Sequence, residues 1–134
     1  MASDFYRTKW HTPVYPVATN MDPLSKQKTD LNSVYRVYQK FVRLRNTYPA
    51  LASGTISYPD NLDAYNKNFM VFYRELNGER LMVIHNVSPN ISTYTFDHAV
   101  NKPVADMGKV TYTKINSTTN SVTMPAYSTI IFEL

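Results

Sequence analysis

Chemistry needs polar side chains that converge, and in this sequence the residue types that could supply it are scattered. The three histidines, His11, His85 and His98, stand in unlike contexts. None lies at i, i+4 from another, so no metal-ligating spacing is present. His85, inside MVIHNVS, reads as a hydrogen-bonded strand residue rather than a ligand or base. Ten carboxylates are available, and two of them, suitably placed, could act as acid and nucleophile on a glycosidic bond. No spacing pairs them. The densest acidic spot, Asp60 with Asp63 in PDNLDAYNKN, reads as a solvated loop between strands. There is no G-x-S-x-G elbow, and three glycines are too few and too dispersed for a loop that cradles phosphate. The residues by themselves therefore offer no catalytic, cofactor-binding or metal-binding constellation.

Aromatic side chains are more suggestive. Eleven tyrosines, six phenylalanines and one tryptophan provide flat faces that stack on sugar rings or bases. Most of them fall on strand or helix periodicity, where core and cross-strand packing account for them. Tyr6, Trp10 and Tyr15 do not. Three N-glycosylation sequons, at Asn86-Val87-Ser88, Asn90-Ile91-Ser92 and Asn116-Ser117-Thr118, are matches that chance supplies readily in a chain rich in Asn, Ser and Thr.

The elements that must position these residues belong to one domain of ordinary size, because 134 residues can bury a real core but not two. A hydrophobic fraction of 43% with 18% charged residues is that of a globular chain. No apolar run is long enough to span a membrane, and MASDFYRTKW lacks the apolar stretch of a signal peptide. The compartment is not legible. Cysteine is absent, which excludes disulfides, cysteine nucleophiles and thiolate metal sites together. The net charge of +4 is not gathered into a patch: Arg36, Lys40, Arg43 and Arg45 share a helix and the other basic residues are dispersed, so nucleic acid is not an expected partner.

Residues 1–30 contain Pro13, Pro16 and Pro23 and no sustained period, and read as an irregular segment. Such a long loop rarely opens a compact domain unless it belongs to something larger. From Leu31 to Leu44 apolar residues recur at three- and four-residue intervals, which predicts an amphipathic helix over about 32–47. Asp30, Asn32 or Ser33 can cap its start, and Pro49 ends it by restricting the residue before it. Beyond Gly54 the pattern is β: TISYP, FMVFYREL, RLMVIHNVS, STYTF, KVTYTKI, SVTMP and STIIFEL are short β-branched or aromatic runs between turn residues. Asn77-Gly78 between two of them is a strong hairpin signal. The expected fold is mostly β, an antiparallel Greek-key sandwich preceded by an irregular segment and one amphipathic α-helix.

The order of these elements, with their residues, resembles a known family. DLNSVYRVYQKFVRLRNTYPALASG is similar to the last helix of the catalytic barrel in the α-amylase family of glycoside hydrolases and the junction after it. Asp30, Asn32, Ser33, Tyr38, Leu44, Arg45, Pro49, Ala50, Leu51 and Gly54 carry the likeness. FMVFYRELNGERLMVIHNVS resembles the first hairpin of that family's C-terminal β-domain, and MPAYSTIIFEL its closing strand. The resemblance implies that residues 1–52 are the tail of a (β/α)8 barrel and residues 53–134 a C-terminal β-sandwich domain. It also accounts for an irregular opening followed by a single helix.

The family's nucleophile, acid/base and stabilising carboxylates reside in upstream motifs with no match in this chain. The resemblance therefore implies a structural and glucan-binding part of an enzyme acting on starch-type α-glucans, inactive by itself. Any calcium site would lie upstream. The expected partners are the missing barrel and, through the complete enzyme, α-glucan; Tyr6, Trp10 and Tyr15 are the candidate glucan contacts. A free-standing carbohydrate-binding module and a non-sugar interaction domain are the alternatives. In an isolated chain the apolar stripe Val34, Val37, Tyr38, Phe41 and Leu44 would lack its barrel neighbours, which predicts self-association.

Overall fold

The computed structural model describes residues 22–60, 67–97, 100, 103–108 and 121–134. Backbone contacts group residues 1–43 and 44–134 into two units, the division falling inside a helix. Within the first unit a short helix, α1 (Leu24–Thr29), stands in the stretch expected to be irregular. The amphipathic helix α2 (Val34–Thr47) forms where the periodicity predicts it. Ser33 is the residue that caps it, its Oγ accepting the Arg36 N–H at 3.3 Å, while Asp30 Oδ1 accepts the Asn32 N–H at 2.9 Å in an Asx turn.

Pro49 ends α2 and at once begins a further helical turn, α3 (Pro49–Ser53). Proline suits the first helical position because its missing N–H would have no partner there. One residue thus both stops a helix and starts the next, which the reading of Pro49 as a terminator alone does not foresee.

Seven described strands follow: β1 (Thr55–Ser57), β2 (Phe69–Leu76), β3 (Glu79–Asn86), β4 (Ser92–Thr95), β5 (Pro103–Met107), β6 (Ser121–Met124) and β7 (Thr129–Glu133). All pairings are antiparallel, giving one sheet ordered β1-β2-β3-β7-β5 and a second of β4-β6. The β2-β3 ladder runs unbroken from Phe69↔Asn86 to Leu76↔Glu79. It closes through Asn77 and Gly78, at φ 52° and 87°, the left-handed pair that a tight hairpin needs. β5 is the strand the sequence pattern misses. It begins at Pro103, carries a register shift between Pro103 and Ala105, and lies at the sheet edge, where a proline costs no ladder bond. The expected strand KVTYTKI, residues 109–115, lies outside the described residues.

The centre of the large sheet, at β3 and β7, is buried on both faces. Between the sheets pack Val71, Tyr73, Met82, Ile84, Ile130 and Phe132 from one side and Tyr94, Phe96, Val100, Val122 and Met124 from the other. On the opposite face Leu81, Val83, Ala105 and Ile131 meet Leu44 and Ala50. This explains why β3 and β7 read as continuous apolar runs, LMVI and IIF, instead of alternating. Each such aliphatic or aromatic side chain contributes about 1.5–3 kcal/mol by leaving water. The aromatics form a chain of edge-on contacts, Phe69–Tyr94 at 5.5 Å, Tyr94–Phe96 at 5.2 Å and Phe96–Phe132 at 5.1 Å between ring centres. Among the described residues Tyr73, Tyr94, Phe96 and Phe132 are buried in this core.

Candidate functional site

Among the described residues three places concentrate polar or exposed side chains: the junction between helix and sheet, the end of β3, and the turn before β7. At the junction Ala50 is fully buried. Its N–H donates to Glu79 Oε2 at 2.6 Å and its carbonyl accepts from Arg74 Nε at 3.1 Å and from the Gly54 N–H at 3.0 Å. α3 is thereby bonded to both strands of the first hairpin. Gly54 has to be glycine on steric grounds, for a Cβ there would stand 2.6 Å from the Ala50 oxygen and 2.7 Å from that of Glu75. Pro49, Ala50 and Gly54, part of the familiar junction pattern, thus serve to seat one helical turn on a sheet.

In the same pattern Ser33 is a helix cap and Leu44 is core. Tyr38 and Arg45 are exposed. Tyr38, at 70% exposure, lies on an α2 face with Val34, Phe41 and Val42, all open to solvent, and Leu31 just before the helix is likewise open. The spacing 34, 38, 41, 42 is one continuous apolar stripe. Val37 is half-buried and Leu44 is buried, so the expected stripe is open at Val34, Tyr38 and Phe41 only.

At the end of β3, Asn86 is 1% exposed. Its Nδ2 donates toward the carbonyls of Asn90 at 2.8 Å, Met124 at 3.2 Å and Pro125 at 2.8 Å. Its Oδ1 accepts from the Ser88 N–H at 3.1 Å and the Ser88 Oγ–H at 2.8 Å. One amide joins the end of β3 to the end of β6, tying the two sheets together. Pro125 is held a second time by Ser128 Oγ at 2.7 Å. The sequon at Asn86 is therefore a buried structural corner, and in the folded chain its amide nitrogen is already used.

The turn beyond Pro125 holds Tyr127 at φ 51°, a left-handed conformation, with the residue 73% exposed. Its N–H donates to the Ser88 carbonyl at 3.3 Å. Val87 and Ile91, from the loop the corner fixes, are also exposed. Neither the corner nor the unusual Tyr127 backbone is visible to periodicity, although N-x-S and P-A-Y-S mark their positions.

Tyr6, Trp10 and Tyr15 lie outside the described residues, as do His11, His98 and Asp63. Asp60 is exposed. His85 Nδ1 is hydrogen-bonded to Thr129 Oγ1 at 2.7 Å, and its ring sits 5.8 Å from that of Phe72. Burial pushes its pKa below the ordinary histidine value. Among the described residues no cluster of three or more His, Asp or Glu side chains is placed to hold a metal ion, and no helix is long and apolar enough to cross a membrane.

With this geometry in hand, comparison with known proteins is specific. The family described as the alpha-amylase SusG C-terminal domain matches residues 69–131, from the start of β2 into β7. Alpha-amylase 3 of Dictyoglomus thermophilum is 26% identical over 129 residues, covering 96% of this chain and 24% of that protein. Alpha-amylase SusG of Bacteroides thetaiotaomicron is 28% identical over 124 residues, covering 88% of this chain and 18% of that protein. Among solved structures, Eubacterium rectale Amy13B superposes with a TM-score of 0.70 at 25% identity, over 89% of this chain and 23% of that one. An isomaltulose synthase from Klebsiella sp. LX3 shares the fold, with a TM-score of 0.74 at 21% identity over 91% of this chain and 22% of that one. The chain spans a quarter or less of each of these relatives. The β-rich part of the chain is accordingly a C-terminal domain of the α-amylase family of glycoside hydrolases.

Proposed function

We propose that this chain closes the catalytic barrel of an enzyme that hydrolyses starch-type α-glucans, and that it has no hydrolytic activity of its own. Residues 1–52 are then the last loop and helix of the barrel and residues 53–134 the domain that covers and stabilises it. The observation that carries this reading is the exposed stripe Val34, Tyr38, Phe41 and Val42 on α2. A stripe of that kind is an interface whose other side is a neighbouring helix or strand. The Ala50–Glu79 and Ala50–Arg74 bonds support a rigid coupling of the barrel's end to the β-domain, so that the domain resists fraying of the final helix.

The retaining chemistry, and any calcium site, belong to the upstream part of the complete enzyme. The decisive test is to express the chain with and without the coding sequence preceding Met1 and assay both on soluble starch. New reducing ends are expected from the longer protein alone. Release of reducing ends by this chain, at a rate sensitive to replacement of its carboxylates, would overturn the proposal.

A further inference from the structure

Asn77 is the only asparagine in the chain that is followed by glycine. The pair suits the hairpin because asparagine and glycine accept φ values of 52° and 87° at little cost. It is also chemically matched: the Gly78 amide nitrogen is a nucleophile held beside the Asn77 side-chain carboxamide, and a tethered group reacts far faster than one free in solution. A side chain on the following residue would obstruct that approach. Gly78 has none, and a Cβ built there would meet no atom within 4 Å.

The fold leaves both reacting groups free. Asn77 and Gly78 are exposed, and among the described residues neither the Asn77 carboxamide nor the Gly78 N–H has a hydrogen-bond partner. Asn90 provides the contrast, being exposed as well but followed by the β-branched Ile91. The turn also has structural leverage. It sets the register Leu76↔Glu79 and Glu75↔Arg80, and the strands it joins both hold Ala50, through Arg74 on β2 and Glu79 on β3.

We propose that Asn77 is a site of spontaneous deamidation in the folded chain, and that the isoaspartate formed there loosens the seat of α3 on the hairpin. The Gly78 nitrogen gives its proton to hydroxide and bonds to Asn77 Cγ; the Cγ–Nδ2 bond breaks, and ammonia leaves with a proton taken from water, which restores the hydroxide. A succinimide remains. Water then opens it, at Cγ to give aspartate or at the main-chain carbonyl to give isoaspartate, in which the backbone runs through Cβ and Cγ and gains one carbon. A two-residue turn dictates the pairing of its strands, so the added atom displaces Glu79 from the position in which it accepts the Ala50 N–H.

The experiment keeps the full chain in mildly alkaline buffer and follows the peptides holding residues 77 and 90 by mass and by enzymatic methylation of isoaspartate. Conversion is expected at residue 77, faster as pH rises, and little at Asn90. Asn77→Gly, which suits the turn, gives no signal there. Conversion in urea but not in buffer, or equal conversion at the two asparagines, would overturn the site. The isoaspartyl form, separated chromatographically, is expected to melt below Asn77→Asp, which has the same charge on a normal backbone. In a Glu79→Ala background that gap should close, because the bond it acts through is already gone. An equal gap with and without Glu79, or no gap at all, would overturn the link to α3.

Discussion

The Ala50 N–H donates to Glu79 Oε2 across 2.6 Å, so the second residue of α3 is bonded to the first residue of β3, twenty-nine positions away in the chain. This bond satisfies one of the free amides that every helix start presents. It also joins the end of the helical region to the hairpin on which the β-domain is built.

Replacing Glu79 by alanine removes a half-buried charged acceptor from a buried amide. The expected loss is about 1–2 kcal/mol of unfolding free energy, read from urea denaturation. Glu79→Gln, which keeps an acceptor oxygen, recovers part of it. Identical curves for Ala and Gln would show that the bond contributes nothing.

Gly54→Ala places a methyl against two backbone oxygens, at 2.6 and 2.7 Å. Backbone cannot rotate aside as a flexible side chain can. The expected cost is about 1–3 kcal/mol, the usual range for overpacking, seen as a lower melting temperature. Its φ is −66°, so the loss has nothing to do with left-handed backbone. A fully stable Gly54→Ala would mean that α3 can slide on the sheet.

Asn86→Ala removes the amide shared by the Asn90, Met124 and Pro125 carbonyls and by Ser88, although Pro125 keeps the Ser128 hydroxyl and Asn90 the Ser88 hydroxyl as donors. With an unsatisfied buried group costing about 1–3 kcal/mol, the expected loss is at least about 3 kcal/mol. Ser88→Ala removes less and is expected to cost about 1 kcal/mol. Denaturation of both variants orders them; the reverse order would remove Asn86 from the centre of the corner.

His85 supplies a pH dependence. Its folded pKa lies below the unfolded value because burial disfavours the imidazolium, so the folded state prefers the neutral ring. The stability associated with it is complete above the unfolded pKa, about 6.5, and is lost as pH falls through the lower folded value. Unfolding free energies measured between pH 8 and pH 5 should therefore drop more for the wild type than for His85→Gln. Parallel profiles would assign the acid sensitivity elsewhere.

The open face of α2 predicts behaviour in solution. Sedimentation of the isolated chain is expected to show concentration-dependent association, abolished by combining Val34→Ser, Tyr38→Ser and Phe41→Ser. Because these side chains are exposed, stability should change by no more than about 0.5 kcal/mol per site. A wild-type chain that stays monomeric at high concentration would contradict the expectation.

The sequence by itself determined the features written in local pattern. The α2 periodicity, the Asn77-Gly78 hairpin and the six predicted strands that fall on described residues depend on neighbours a few positions apart, and all stand where the pattern puts them, while the choice of Ser33 among three possible caps came from the structure. The junction and hairpin motifs also pointed to the family. Tertiary structure alone decided what depends on distant partners. Asn86 is a corner only because Met124 and Pro125, thirty-eight and thirty-nine residues later, bring their carbonyls to it. β5, with its leading proline and register shift, exists because β7 offers an edge. Which tyrosines are core and which are exposed followed from the two sheets packing face to face over Tyr73 and Tyr94 while Tyr127 stayed exposed. Hydrogen-bond partners and burial are properties of pairs of segments, and no single segment contains them.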